Sequence, residues 1–115
     1  MRKYQKLRRA SEFDSVKKYG DGFSDSNIVM LVMNRDVVGE SGESRLGCVV
    51  SKRIGGAVVR NKFKRRLRES AVSISLVDGM DIVFIAKQGI LKSDFNQISS
   101  SVHKLLDNAN LISIE

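Results

Sequence analysis

Arg45-Leu-Gly-Cys-Val-Val-Ser51, Val58-Val-Arg-Asn-Lys-Phe-Lys-Arg-Arg-Leu-Arg-Glu-Ser-Ala-Val-Ser-Ile74 and Asp81-Ile-Val-Phe-Ile-Ala86 are the three segments whose reading decides the fold. The first and third are short, apolar and partly β-branched, as in strands, and the third is apolar on both faces, as in a central strand. In the second, Phe63, Leu67, Ser70, Ala71 and Ile74 recur at helical spacing and gather on about a third of the helix circumference. A strand, a helix and a strand of these lengths predict a crossover between parallel neighbours, with the usual right hand. Asp78-Gly79 supplies the turn before the last strand.

Working outward, Ser11 reads as a helix N-cap with Asp14 three residues on, and Phe13 and Val16 give that helix an apolar pair before Gly20 and Gly22 end it. Asn27 to Asp36 contains the run Ile-Val-Met-Leu-Val-Met, predicted as a strand closed by a hairpin-like turn over Gly39 to Ser44. A last helix is expected from Lys92 to Asn108, capped by Ser93, with Phe95, Ile98, Val102, Leu105 and Leu106 on one stripe. The 115 residues, 42% hydrophobic, suffice for one core. The expected architecture is a single α+β domain over 1–115, in the order helix, strand, strand, helix, strand, helix, with one small sheet covered by helices and a basic, flexible arm over 1–10.

The formal charge is +7, and it is unevenly spread. Eight cations (Lys52, Arg53, Arg60, Lys62, Lys64, Arg65, Arg66, Arg68) lie between positions 52 and 68 without one acid, and five more fall in the first nine residues. Arg60, Lys64 and Arg68 form one helical ridge, Asn61 and Arg65 lie beside it, and Lys62 and Arg66 lie further round. Each like-charge pair four residues apart destabilises an isolated helix by roughly 0.2 to 0.5 kcal/mol, a cost that a polyanionic partner would remove. A solvated helix face is the bland alternative, but such faces mix signs. Asn61 suits either a helix cap or an RNA edge. In the connector Ser51-Lys52-Arg53-Ile54-Gly55-Gly56 the glycines permit close approach of a phosphate or simply turn the chain, and the two cations favour the phosphate.

The chemistry inventory is short. With one cysteine, Cys48, and one histidine, His103, neither an internal disulfide nor a zinc site of the usual composition can be built, and a cytoplasmic protein is expected. The longest apolar run spans Ile28 to Met33, far short of the ~20 residues that cross a membrane. Cys48 sits among valines as an inert thiol, His103 is a helix-surface or boundary residue, and no side chains are expected to be catalytic or to bind metal. Phe13, Tyr19 and Phe23 cluster near the first helix, where one of them could stack on an unpaired base, although core packing is expected of Phe13; Phe63, Phe84 and Phe95 are assigned to the core.

The stretch from Arg45 to Glu69 resembles the signature of the bacterial ribonuclease P protein subunit. Its centre (Arg60, Asn61, Lys64, Arg65, Arg68 and Glu69) is similar to that family's arginine-rich motif, preceded in the expected order by a strand, Ser51-Lys52-Arg53, Gly55 and Ala57-Val58. The resemblance implies a left-handed crossover around the basic helix, against the general rule. It further implies a monomeric subunit in a 1:1 complex with ribonuclease P RNA that also contacts the 5′ leader of precursor tRNA, while the RNA with Mg²⁺ cuts the leader away. Lys52, Arg53, Arg60, Asn61, Lys64, Arg65 and Arg68 would then meet the catalytic RNA. Phe13, Lys17 and Leu31 would line a leader cleft between the first helix and the sheet. Lys17 and Leu31 stand where the family often has aromatic residues, so phosphate contact by Lys17 replaces stacking.

Three other readings compete. A DNA-binding module would place the same helix in a major groove, and a general RNA-binding module would use it without a role in tRNA maturation. A protein nuclease would have only Asp78, Asp81 and Asp94 as nearby acids.

Overall fold

The structure, a computed structural model, describes residues 4–113. Its elements are β1 (Gln5–Lys6), α1 (Ala10–Tyr19), β2 (Asp21–Ser24), β3 (Ile28–Asn34), β4 (Arg45–Val49), α2 (Ala57–Val72), β5 (Met80–Ala86) and α3 (Phe95–Asn108), with 3-10 turns at Arg35–Val38 and Gln88–Lys92. One mixed sheet runs in the order β1-β4-β5-β3-β2. β4 and β5 are parallel neighbours joined through α2, as the sequence predicts, and β5 also pairs antiparallel with β3 over seven residues, from Ile28 opposite Ala86 to Asn34 opposite Met80.

The hairpin-like turn expected after β3 is overturned. β5 lies between β3 and β4, so the segment from Arg35 to Ser44 carries the chain past β5 instead of folding β4 back on β3. Two strands were not read from the sequence: β2 pairs antiparallel with β3, and β1 pairs parallel with β4. The arm expected over 1–10 is joined to the fold from Tyr4 onward. Tyr4 and Leu7 are buried, Tyr4 Oη donates to Ile74 O at 2.5 Å, and it accepts from Leu76 N at 2.8 Å. Residues 1–3 of that arm lie outside the described residues.

Alternation along the strands sorts the sheet into two faces. Ile28, Met30 and Val32 of β3, with Leu46, Ile82 and Phe84, face α2 and α3 and join Phe63, Leu67, Ile98, Val102 and Leu106 in the main core. Each such side chain stabilises the fold by roughly 1.5 to 3 kcal/mol. This packing holds α2 helical against its charge repulsion. Ser70, buried on the same stripe, donates its hydroxyl to Arg66 O at 2.7 Å. The opposite face carries Leu31, Met33, Val83, Val49 and Ile85, covered by Leu7, Phe13 and Val16.

Both flanking helices start elsewhere than the sequence suggested. α1 is capped at Arg9, not Ser11, because the Glu12 carboxylate accepts the backbone N–H groups of both Arg8 and Arg9 at 2.9 Å. α3 is capped by Asp94, not Ser93: its carboxylate accepts Gln97 N at 2.8 Å while Gln97 Oε1 accepts Asp94 N at 2.9 Å. At the other end of α1, Gly20 fits because an added Cβ would stand 2.5 Å from Val16 O and 2.9 Å from Val32 O.

Candidate nucleic-acid interface

The interface is built on α2. Gly56 occupies its N-cap with no side-chain bond to the first turn, so the backbone donors there stay open beside the exposed Lys52 and Arg53. Ile54 is buried and anchors that loop, and Gln88 Nε2 donates to Arg53 O at 3.2 Å. Asn61 lies beyond the first turn and is exposed, which removes the capping role and leaves its amide facing solvent. Among the described residues the only ion pair made by a cation of this helix is Arg65 with Glu69, at 3.9 Å between two exposed groups. A pair of that kind contributes about 0 to 1 kcal/mol and is readily exchanged for a phosphate. Arg60 Nε is buried without a hydrogen-bond partner, a donor that an incoming acceptor would satisfy.

A groove of about 370 Å³ runs between α1, β4 and α2 and is lined by Lys6, Leu7, Phe13, Leu46, Gly47, Cys48, Lys64, Arg65 and Arg68. It brings Phe13 together with three of the motif cations, so the two surfaces expected from the sequence share a border. Of the three residues expected in the leader cleft only Phe13 lines this groove: Leu31 packs in the same cluster as Phe13, and Lys17, exposed one helical turn after Phe13, stands on the same side of α1. Arg68 has a second task not read from the sequence, since its Nη2 donates to Tyr4 O at 2.8 Å and ties the arm to α2. Burial pushes the Cys48 thiol up to about 11, with Arg68, Lys64 and Lys6 pulling weakly the other way, so it stays protonated and inert at neutral pH.

Gly47 determines where Phe13 sits. A Cβ built there would stand 2.7 Å from Phe13 Cε1 and 3.1 Å from Leu7 Cδ1, closer than packed carbons allow. A lone glycine inside a strand marks a close approach but does not say which residue comes near. Gly47→Ala should push the ring outward at a cost of about 1 kcal/mol, lowering the melting temperature by roughly 4 to 8 °C. A variant that melts with the wild type would show that the ring is not held against β4.

Behind the groove a charge cluster pins α1 to the sheet. Arg45 Nε and Nη2 bind both oxygens of Asp81 at 2.7 and 2.6 Å, while its Nη1 reaches Glu12 at 2.6 Å and Nη2 reaches Glu40 at 3.1 Å. Arg35 adds a contact to Glu40 at 3.3 Å. Asp81, one of the acids weighed for a protein nuclease, is thus fully buried and engaged by an arginine. The backbone N–H of Arg9, then that of Arg8, holds the Glu12 carboxyl below its ordinary value of 4.5, and the Arg45 charge adds to this. A depressed value means that Glu12 contributes stability in full above its unfolded value and loses it as pH falls through the lowered one. The melting temperature should therefore exceed that of Glu12→Gln at neutral pH, with the gap closing below pH 4.5. A gap independent of pH would place the effect outside this carboxylate.

Of the aromatic residues, Phe63 and Phe84 are buried, but Phe95 is 39% exposed, contrary to its assignment to the core. It opens α3 instead of lying inside it. Tyr19 is exposed with Lys18 Nζ 5.2 Å from its ring centroid, and Phe23 packs toward the main core, on the face away from Phe13. His103 is exposed. Among the described residues no group of three or more His, Cys, Asp and Glu is placed to hold a metal ion, and no helix is long and apolar enough to cross a membrane.

Comparison with known proteins follows the same lines. The ribonuclease P protein component of Thermoanaerobacter sp. (strain X514) is 36% identical over 107 residues, covering 91% of this chain and 89% of the relative. That of Clostridium kluyveri is 36% identical over 111 residues, covering 92% and 95%. Among solved structures, the Staphylococcus aureus RNase P protein superposes with a TM-score of 0.83 at 30% identity, covering 96% of this chain and all of that one. The Thermotoga maritima protein gives 0.76 at 29%, covering 90% and 96%. The family model for ribonuclease P matches residues 1–110, and on that match, with an arginine-rich helix bordering an aromatic groove on the shared fold, the chain belongs to the ribonuclease P protein family, the RNA-binding protein component of that tRNA-processing endoribonuclease.

Proposed function

We propose that this protein binds ribonuclease P RNA through Lys52, Arg53, Arg60, Asn61, Lys64, Arg65 and Arg68, and takes the 5′ leader of precursor tRNA along the groove at Phe13 and over the neighbouring Lys17 and Leu31. The observation that carries this reading is the groove itself, which opens from Phe13 directly onto Lys64, Arg65 and Arg68. A strand leaving the catalytic RNA can pass into it without losing phosphate contact. With Leu31 aliphatic and Phe13 the one aromatic in the groove, the leader is read more by its backbone than by stacking, and Lys17 takes a phosphate.

Cleavage at the mature 5′ end falls to the RNA subunit, in a 1:1 complex in the cytoplasm. The acids gathered behind the groove, Glu12, Glu40 and Asp81, do not fit a resident metal ion, because the Arg45 guanidinium already occupies the point where their oxygens converge. Mg²⁺ is therefore assigned to the RNA and substrate, whose phosphates suit it. The protein's own contribution is charge neutralisation and placement of the leader.

The test is ultraviolet crosslinking in the protein's own cells followed by sequencing of the attached RNA. Reads concentrated on one long structured RNA and on leader-bearing tRNA precursors are expected. Reads scattered over ribosomal and messenger RNA would favour the general RNA-binding reading.

A further inference from the structure

The motif helix carries cations on two flanks, and the function proposed above uses one. Lys64 and Arg68 line the groove, whereas Lys62 and Arg66 lie on the side toward α3. The buried Phe63 ring supports both, with Lys62 Nζ 5.8 Å and Arg66 Cζ 5.5 Å from its centroid. Arg66 Nη1 also donates to Ser93 O at 3.4 Å, which joins this flank to the junction of the Gln88–Lys92 turn and α3. There the chain exposes Leu91 at 44% and Phe95 at 39%, next to Lys92. Two acids stand near it: Asp94, which caps α3 by accepting Gln97 N at 2.8 Å, and Glu69, 3.9 Å from Arg65, against the three cations Lys62, Arg66 and Lys92.

We propose that Lys62, Arg66, Lys92, Leu91 and Phe95 form a second RNA contact that grips an unpaired nucleotide of ribonuclease P RNA, the base against Phe95 and Leu91 and its phosphates on the three cations. An apolar pair alone would suit many partners, but an exposed aromatic at a junction that Arg66 ties to the cationic flank of α2 matches a splayed nucleotide. The RNA subunit is the source because Lys62 and Arg66 belong to the same helix, α2, and stand beside the exposed Asn61 and Arg65 in its sequence. The leader groove lies on the opposite flank, across a helix about 10 to 12 Å wide. The inference rests on the reading that α2 binds the catalytic RNA.

Binding of refolded ribonuclease P RNA and of a single-stranded 5′ leader oligonucleotide is measured across a salt series for three variants of the full chain. Lys62→Gln with Lys92→Gln, both at exposed positions, should lose between one and two units of slope in log K against log salt on the catalytic RNA. Phe95→Leu, which keeps apolar packing, should weaken that RNA about fivefold or more at little change in slope. Neither should alter leader binding. Wild-type affinity and slope on the catalytic RNA would overturn the inference, as would a loss confined to the leader, which would give the patch to the substrate. Lys64→Gln with Arg65→Gln separates the two levels. If that variant weakens the catalytic RNA while the flank variants do not, only the second contact fails; if it too binds as wild type, the assignment of α2 fails and this inference with it.

Discussion

Asp81→Ala is expected to destabilise the fold by about 3 to 5 kcal/mol, the usual consequence of removing one partner from a buried ion pair. Asp81 is fully buried, and Arg45, only 11% exposed at its side chain, gives it two of its hydrogen bonds. Without the carboxylate the guanidinium keeps Glu12 and Glu40 but loses its place against β5. The melting temperature should drop by more than about 10 °C, measurable by circular dichroism or calorimetry. Asp81→Asn, which keeps the shape and one acceptor, should fall in the same direction by less. Because Arg45 also holds Glu12, the start of α1 should loosen in both variants, and with it the ring of Phe13, so leader binding should weaken beyond the loss of folded protein. A melting temperature within about 2 °C of wild type would show the cluster to be idle.

The second large effect concerns RNA. Replacing Lys52, Arg53, Lys64 and Arg65 together with glutamine should lower the slope of log K against log salt by about three units, at roughly 0.7 to 0.9 per phosphate contact. Affinity for ribonuclease P RNA at near-physiological salt should fall on the order of a hundredfold or more. Lys52, Arg53 and Arg65 are exposed and Lys64 half-buried, and among the described residues none holds another element through a side-chain hydrogen bond. The folded state should therefore survive, and relief of like-charge repulsion along α2 should leave the melting temperature unchanged or slightly raised. Arg68 is left out because its bond to Tyr4 O would mix a structural loss with the electrostatic one. A variant whose slope matches the wild type would remove α2 from the interface.

The elements read correctly from the sequence are those whose signal is local. Phe63, Leu67, Ser70 and Ala71 mark α2 by period alone, and Asp81 to Ala86 marks a buried strand by being apolar on both faces. The order of strands is not a local property. β3 and β5 are both apolar enough to be central, and nothing in Gly39 to Ser44 shows that β5, formed later in the chain, will enter between β3 and β4. β2 offers only Phe23 to the core and β1 is two residues long, too little for any pattern to register.

The caps failed for a related reason. Ser11 and Glu12 are both plausible capping residues, and Glu12 prevails because its carboxylate is also bound by Arg45, a partner 33 residues away. Asp94 prevails over its neighbour Ser93 as a charged acceptor at a helix start. The later start of α3 leaves Phe95 at its first position and exposed, which removes it from the core. The motif cations were legible because charge without counter-charge is visible in one dimension. Their meeting with Phe13 was not, since it depends on Gly47 letting α1 lie close over β4.

Cleavage of a leader-bearing precursor tRNA tests the central claim most directly, with refolded ribonuclease P RNA, this protein, and the two together compared at low millimolar Mg²⁺. The account predicts that the protein alone cuts nothing, and that adding it to the RNA raises the rate at the mature 5′ end by an amount that shrinks as the leader is shortened. Cleavage by the protein alone, or an RNA-catalysed rate indifferent to the protein at every leader length, would contradict it.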